Sequence, residues 1–167
     1  MYRLINENIE LLLDSISPEK DVQPYTWLMQ RLFSTDVARD EQFQRVYGRY
    51  WQLYPARLSQ TYRDEYFRFL EHLKQKPRES VGIEEVARHM FEIPSHSSGR
   101  KSLQFSFATK LVHMLRPEQP VYDRMVERFF FLPDASQKKS MKNKLAGLLA
   151  SYAFLAREYR RVLQENI

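Results

Sequence analysis

The sequence predicts an all-α protein, a single domain of about eight helices spanning residues 1–167. Three observations lead there. Apolar residues recur at helical spacing in nearly every segment. The chain holds only four Gly, and no hairpin dipeptide lies between alternating runs, so strands lack the turns to join them. Neither an internal repeat nor a low-complexity linker divides the 167 residues, a length suited to one domain. A globular chain of this length buries roughly 70% of its unfolded surface, enough for a full core without staples.

The elements follow in order. Ile5, Ile9, Leu12 and Ile16 form one stripe, ended by Ser17-Pro18. Pro24 sits where a helix can start, before Tyr25 to Phe33. Phe43, Val46, Tyr47, Tyr50 and Tyr54 form the next stripe, stopped by Pro55. Leu58, Tyr62, Tyr66, Phe69, Leu70 and Leu73 form another, ended at Pro77. Residues 1–82 thus make up the N-terminal helices. Ile83 to Met90 is a short helix, Phe107, Leu111 and Leu115 mark a buried face within 102–115, and Val121 to Phe131 follows. A long helix then occupies about Ser140 to Gln164, within a C-terminal part at 134–167. In it Met141, Leu145, Leu148, Tyr152, Leu155, Tyr159 and Val162 alternate steps of four and three, a heptad pattern. Leu149, Ala156 and Leu163 widen that stripe, which suits packing within the chain better than self-association, although the helix is a candidate surface for the latter. The expected state is therefore a monomer.

Composition excludes several classes. The absence of Cys removes disulfides, thiolate metal sites and Cys nucleophiles. The four His, at 72, 89, 96 and 113, show no metal spacing, and there is no phosphate-binding glycine loop, dinucleotide fingerprint or nucleophile-elbow motif. No cofactor or metal is implied. No apolar run approaches membrane-spanning length, and the acidic residues of MYRLINENIELLLD do not suit a signal peptide. The expectation is a soluble, cytoplasmic protein with no membrane partner.

Charge is uneven. The net charge of +5 conceals −2 over residues 1–96 and +7 over residues 97–167. A basic half beside a neutral one points to a cationic surface and a polyanionic partner. Lys138 and Lys142 stand one turn apart in KKSMKNK, and Arg157, Arg160 and Arg161 cluster later. Arg45, Arg49 and Gln52 lie beside Tyr50, Trp51 and Tyr54, an interleaving that can hold a backbone and stack a base. A solvated rim around an aromatic core face accounts for the same pattern.

The chemistry concentrates in SLQFSFATKLVHMLRPEQPVYDRMV, residues 102–126. Ser106, Lys110 and His113 fall within about 60° of one another on a helix, bordering the Phe107/Leu111/Leu115 face. A Lys partly withdrawn from water has a lowered pKa and can serve as an amine nucleophile or a phosphate contact. Asp123 follows Pro120-Val121-Tyr122, and a carboxylate at a helix start is held by backbone N–H groups. Asp123 is equally an ordinary N-cap, while Lys110 can snorkel and His113 can satisfy a carbonyl.

The words S-F-x-x-K-L (106–111) and P-x-Y-D-x-x-V (120–126) resemble those of an uncharacterised bacterial family, itself distantly similar to the helix–hairpin–helix DNA glycosylase superfamily. That resemblance covers residues 83–131. It implies an all-α fold with Ile83–Phe91 as the first hairpin helix, IPSHSSG (93–99) as the hairpin and Arg100–Leu115 as the second helix. It also implies a Pro loop delivering Asp123 as the catalytic carboxylate. Gly99, Arg100 and Lys101 would then meet a phosphate of duplex DNA, bound with little sequence preference. The hairpin carries one glycine where the superfamily usually has two. Lys110 stands thirteen residues before Asp123 and Lys101 twenty-two, and neither falls at the place of a Schiff-base Lys. The pattern is therefore that of a monofunctional glycosylase, with Asp123 and, more weakly, Lys110 as catalytic candidates. Such an enzyme flips a base from the duplex at a cost of a few kcal/mol. Its alternative is a helical nucleic-acid- or protein-binding module that keeps the fold without the chemistry.

Overall fold

The computed structural model describes residues 2–134 and 140–165, with residues 2–4 and 165 as backbone only. Among the described residues the chain is all-helical. Helices run α1 (Tyr2–Glu7), α2 (Ile9–Asp14), α3 (Gln23–Leu32), α4 (Glu41–Tyr50), α5 (Gln60–Leu73), α6 (Ile83–Glu92), α7 (Phe105–Leu115), α8 (Arg124–Phe129) and α9 (Met141–Glu165). A π-helical turn, Pro18–Val22, leads into α3, and a 3₁₀ turn, Arg78–Ser80, precedes α6.

Side-chain caps set several of the starts. Ser17 Oγ accepts from Lys20 N–H at 3.2 Å, and Asp21 returns a carboxylate to Ser17 N–H at 2.8 Å. Asp40 Oδ1 accepts from Phe43 N–H at 2.9 Å and Oδ2 from Arg31 at 2.8 Å. Those partners, the backbone N–H foremost, hold the Asp40 carboxyl below its usual range. Ser59 Oγ accepts from Tyr62 N–H at 3.0 Å and donates to Pro94 O at 2.6 Å, fixing the start of α5 to the hairpin after α6.

The core joins α3–α7 and α9. Leu28, Phe43, Leu70, Met90, Leu111 and Met114 are fully enclosed, and α6 packs extensively on α7. At its centre Tyr47 and Tyr66 hydroxyls lie 2.7 Å apart, and Tyr66 O–H donates to Phe107 O at 2.9 Å. One buried hydroxyl pair thereby ties α4 and α5 to α7. Of the α9 stripe, Leu145, Leu148, Tyr152 and Leu155 are buried in this core, while Leu163 remains exposed.

Four expectations need correction. The first stripe does not reach the core: the helix breaks at Asn8, and Ile9, Leu12 and Ile16 remain exposed. The stripe through Tyr54 stops at Tyr50, because Gln52 takes φ 59° and the chain turns back. Leu53 N–H then bonds Gly48 O at 2.9 Å and Gln52 N–H bonds Arg49 O at 3.3 Å, the double closure of a Schellman cap. The second hairpin helix begins at Phe105, not Arg100, because the Arg100 carbonyl is taken by Ser95 N–H at 3.1 Å and His96 N–H at 3.2 Å. Finally, α8 starts at Arg124 and ends at Phe129, short of the expected Val121–Phe131 at both ends.

Candidate functional site

The Pro–Tyr–Asp segment is held to α7 by Thr109, a fully buried residue. Its Oγ1 accepts from Tyr122 N–H at 3.1 Å, and its own proton lies within reach of Ser106 O, 2.9 Å, and Tyr122 O, 3.2 Å. The Tyr122 ring enters the core, edge-on to Phe105 at 5.5 Å, and its hydroxyl donates to Glu127 at 2.9 Å. Burial and that carboxylate push the phenol pKa well up. Asp123 is therefore delivered to one place, at the start of α8. Its Oδ1 alone caps the helix, accepting from Met125 N–H at 2.8 Å and Val126 N–H at 2.9 Å.

Asp123 borders a cavity of about 570 Å³, a size that suits a small ligand. Ser106 from α7 and Gln104 border it too, with Arg124 and Arg128 from α8 and Lys144 from α9. These three cations have no carboxylate partner among the described residues. Glu127 and Asp134 also line the cavity, so its walls carry both signs.

The other two members of the trio lie elsewhere. Lys110 Nζ donates to Trp51 O at 3.2 Å, with Nζ 4.9 Å from the Phe107 ring centroid and 5.9 Å from that of Trp51. Burial lowers its pKa, and the Asp123 carboxylate partly opposes that without forming an ion pair. His113 is closed at both nitrogens. Nδ1–H donates to Gln119 O at 2.7 Å, and Nε2 faces Tyr25 O–H at 3.0 Å. With Nδ1 donating to a carbonyl, neutral Nε2 is the acceptor for Tyr25. Burial holds this imidazole below its ordinary pKa.

The hairpin positions divide. Gly99 does adopt φ 81°, but its N–H donates to His96 O at 3.0 Å, so it closes a turn and is not open to a phosphate. Arg100 reaches back to His96 at 3.3 Å, and Lys101 pairs with Glu92 at 2.8 Å. Inside the same hairpin Ser102 Oγ joins Ser95 at 2.7 Å, His96 at 3.1 Å and Gln104 at 2.8 Å, a staple the sequence did not announce. Arg45 and Arg49 are exposed on α4 and do not line the Asp123 cavity. Lys142 is exposed on α9, and Lys138 lies outside the described residues. Sequence reasoning missed Thr109, Arg124, Arg128 and Lys144. Arg124 and Arg128 carried a signal, four apart right after the candidate Asp, whereas Thr109 is legible only once the Pro loop folds onto α7.

No helix among the described residues is long and apolar enough to cross a membrane, and no cluster of His and carboxylates there could hold a metal ion. Compared with protein-family models, curated proteins and solved structures, the chain matches none.

Proposed function

We propose that this is a DNA-binding, glycosylase-like protein that hydrolyses the N-glycosidic bond of a nucleotide held at Asp123. The observation that carries the reading is the cavity of about 570 Å³ with Asp123 on its wall among Arg124, Arg128 and Lys144. The cations suit the flanking phosphates, and their contacts would make affinity salt-sensitive and sequence-tolerant. Oδ1 is occupied by the helix, while Oδ2 has no hydrogen-bond partner among the described residues. In the proposed step the bond from C1′ to the base breaks and the base leaves with the electron pair. The carboxylate stabilises the resulting positive charge at C1′ and takes a proton as water adds there, and that proton then passes to the departed base, which restores the carboxylate. Lys110, held at the Trp51 carbonyl, is assigned no step.

A specific observation favours a second reading, the non-enzymatic nucleic-acid- or protein-binding module. Asp123 caps its own helix through Oδ1, as a purely structural carboxylate would. The deciding experiment compares native protein and Asp123→Asn on oligonucleotides carrying damaged or modified bases. Abasic sites are developed by alkaline cleavage, and binding is measured in parallel. The enzyme reading expects base release to fall by roughly 10² or more with binding retained. Base release equal in both proteins would remove Asp123 from the chemistry. Binding without base release by the native protein favours the module.

A further inference from the structure

Helix α8 presents an outer surface that its own fold does not use. Val126 and Phe130 turn inward, Phe130 against Phe154 at 6.2 Å. The remaining turn of the helix shows Arg124 and Arg128 as one stripe and Met125 and Phe129 as the next, within about 140° of its circumference. Met125 is 70% exposed and Phe129 53%. Beyond them Phe131 is 92% exposed, the extreme among the exposed large apolar side chains of the described residues.

The backbone makes Phe131 odder still. Leu132 N–H bonds Glu127 O at 2.9 Å and Phe131 N–H bonds Arg128 O at 3.2 Å, which is a Schellman cap with Phe131 at its left-handed position, φ 52°. Glycine is the residue that position favours, because any Cβ there is crowded. The chain instead holds a bulky aromatic side chain in a strained conformation and projects it into solvent. Strain and exposure together, with no ring contact among the described residues, suit a side chain that acts on something outside the molecule.

We propose that α8 and its cap form a stacking platform for unpaired bases, so that the preferred ligand is single-stranded nucleic acid. This rests on the nucleic-acid reading above and narrows its substrate class. Aromatic faces stack on any base, and interleaved Arg side chains follow the phosphates, which is the recurring recipe for strand binding without sequence preference. Arg124 and Arg128 set cations directly beside the aromatic stripe and the chain beyond residue 96 carries +7, while the cavity lining itself balances Arg124, Arg128 and Lys144 against Asp123, Glu127 and Asp134. A base that arrives unpaired reaches the Asp123 cavity without the cost of being pulled from a duplex. A lipid surface is the weaker fit, because six residues make too short a helix to lie in a bilayer interface.

The Schellman cap supplies a clean test. Phe131→Gly removes the ring while relieving the backbone, so Tm should hold or rise. Fluorescence anisotropy with a short oligothymidine should show binding weakened roughly ten-fold. Binding to a duplex of the same length should be weaker in the native protein and unchanged by the substitution. Arg124→Gln with Arg128→Gln should weaken both ligands and flatten their salt dependence. Equal native affinity for strand and duplex, or strand binding indifferent to both Phe131→Gly and Phe129→Ala, overturns the platform and leaves the DNA-binding reading standing. Failure to bind either nucleic acid sinks both, and co-sedimentation with anionic phosphatidylglycerol vesicles in that case would assign the surface to a membrane.

Discussion

Two polar clusters border α7, and they differ in how their side chains are bonded. On one side Lys110 and His113 face α3 and α4, and Lys110 Nζ and both imidazole nitrogens are already bonded within the fold. On the other, Asp123 spends one oxygen on its helix, and Arg124, Arg128 and Lys144 border open space. What separates structure from candidate function here is unspent bonding capacity, not residue identity. Both nitrogens of His113 are committed, and Lys110 gives one proton to the Trp51 carbonyl with its ammonium against the Phe107 and Trp51 rings, so both hold elements together. A titratable group with capacity left over beside a cavity can meet a ligand.

The sharpest way to break that comparison is Asp123→Asn. The amide keeps an oxygen where Oδ1 accepts its two N–H groups, so a thermal melt should register a loss of about 1 kcal/mol or less. Base release should drop roughly 10²-fold or more, since an amide supplies no negative charge to the developing cation. A large stability loss with no effect on base release would reassign Asp123 to the structural side.

Next in size is Thr109→Val, at the residue that ties the Pro–Asp segment to α7. It removes the acceptor for the buried Tyr122 N–H, and urea titration should show a loss of about 1–3 kcal/mol. Thr109→Ser should restore most of it, because the hydroxyl rather than the methyl holds the Pro–Asp segment. No rescue by Ser would shift the role to packing.

Acid should act on the closed side. Burial depresses the His113 pKa below its ordinary 6.5, so the unfolded chain takes up that proton more readily than the folded one. The contribution to stability is complete above pH 6.5 and declines as the pH falls below it towards the folded-state pKa. Melts across that range should steepen with acid in the native protein and less so in His113→Gln. Identical slopes would mean that another group governs the acid response.

The smallest effect is expected from Lys110→Met. It forfeits a hydrogen bond and two cation–π contacts but also removes a partly buried charge, so stability should move by about 1 kcal/mol or less. Base release should be unchanged. A collapse of base release with binding retained would put a working amine on the side described as closed.

Much of this architecture was legible in the chain. Periodicity located α3 to α6 and α9, and the Pro loop before Asp123 forecast a capped helix. What escaped shares one cause, local patterns decided by distant partners. Gln52 and Phe131 end their helices in left-handed conformations that composition assigns to Gly, so neither stop could be read. Gly99 does take the left-handed conformation, yet only the fold reveals that His96 consumes its N–H. The Ile9/Leu12/Ile16 stripe looked like core because period alone does not say whether anything lies opposite. Arg100 looked helical until its carbonyl was claimed by Ser95 and His96.

The tyrosine pair at the centre has an optical consequence. Tyr66 gives its proton to the Phe107 carbonyl, so Tyr47 must give its own to Tyr66. Burial pushes both phenols well above their ordinary 10.0, so both resist ionisation while the tether between α4, α5 and α7 is intact. A group whose pKa is raised by folding stabilises the native state fully below its unfolded value and ceases to do so as pH climbs beyond it. Alkali therefore works against this fold from about pH 10 upward. The tyrosinate absorbance of these two residues should appear only as the chain opens. In an alkaline titration, the more accessible phenols would colour first and reversibly, and the central pair would report the loss of the tertiary structure itself.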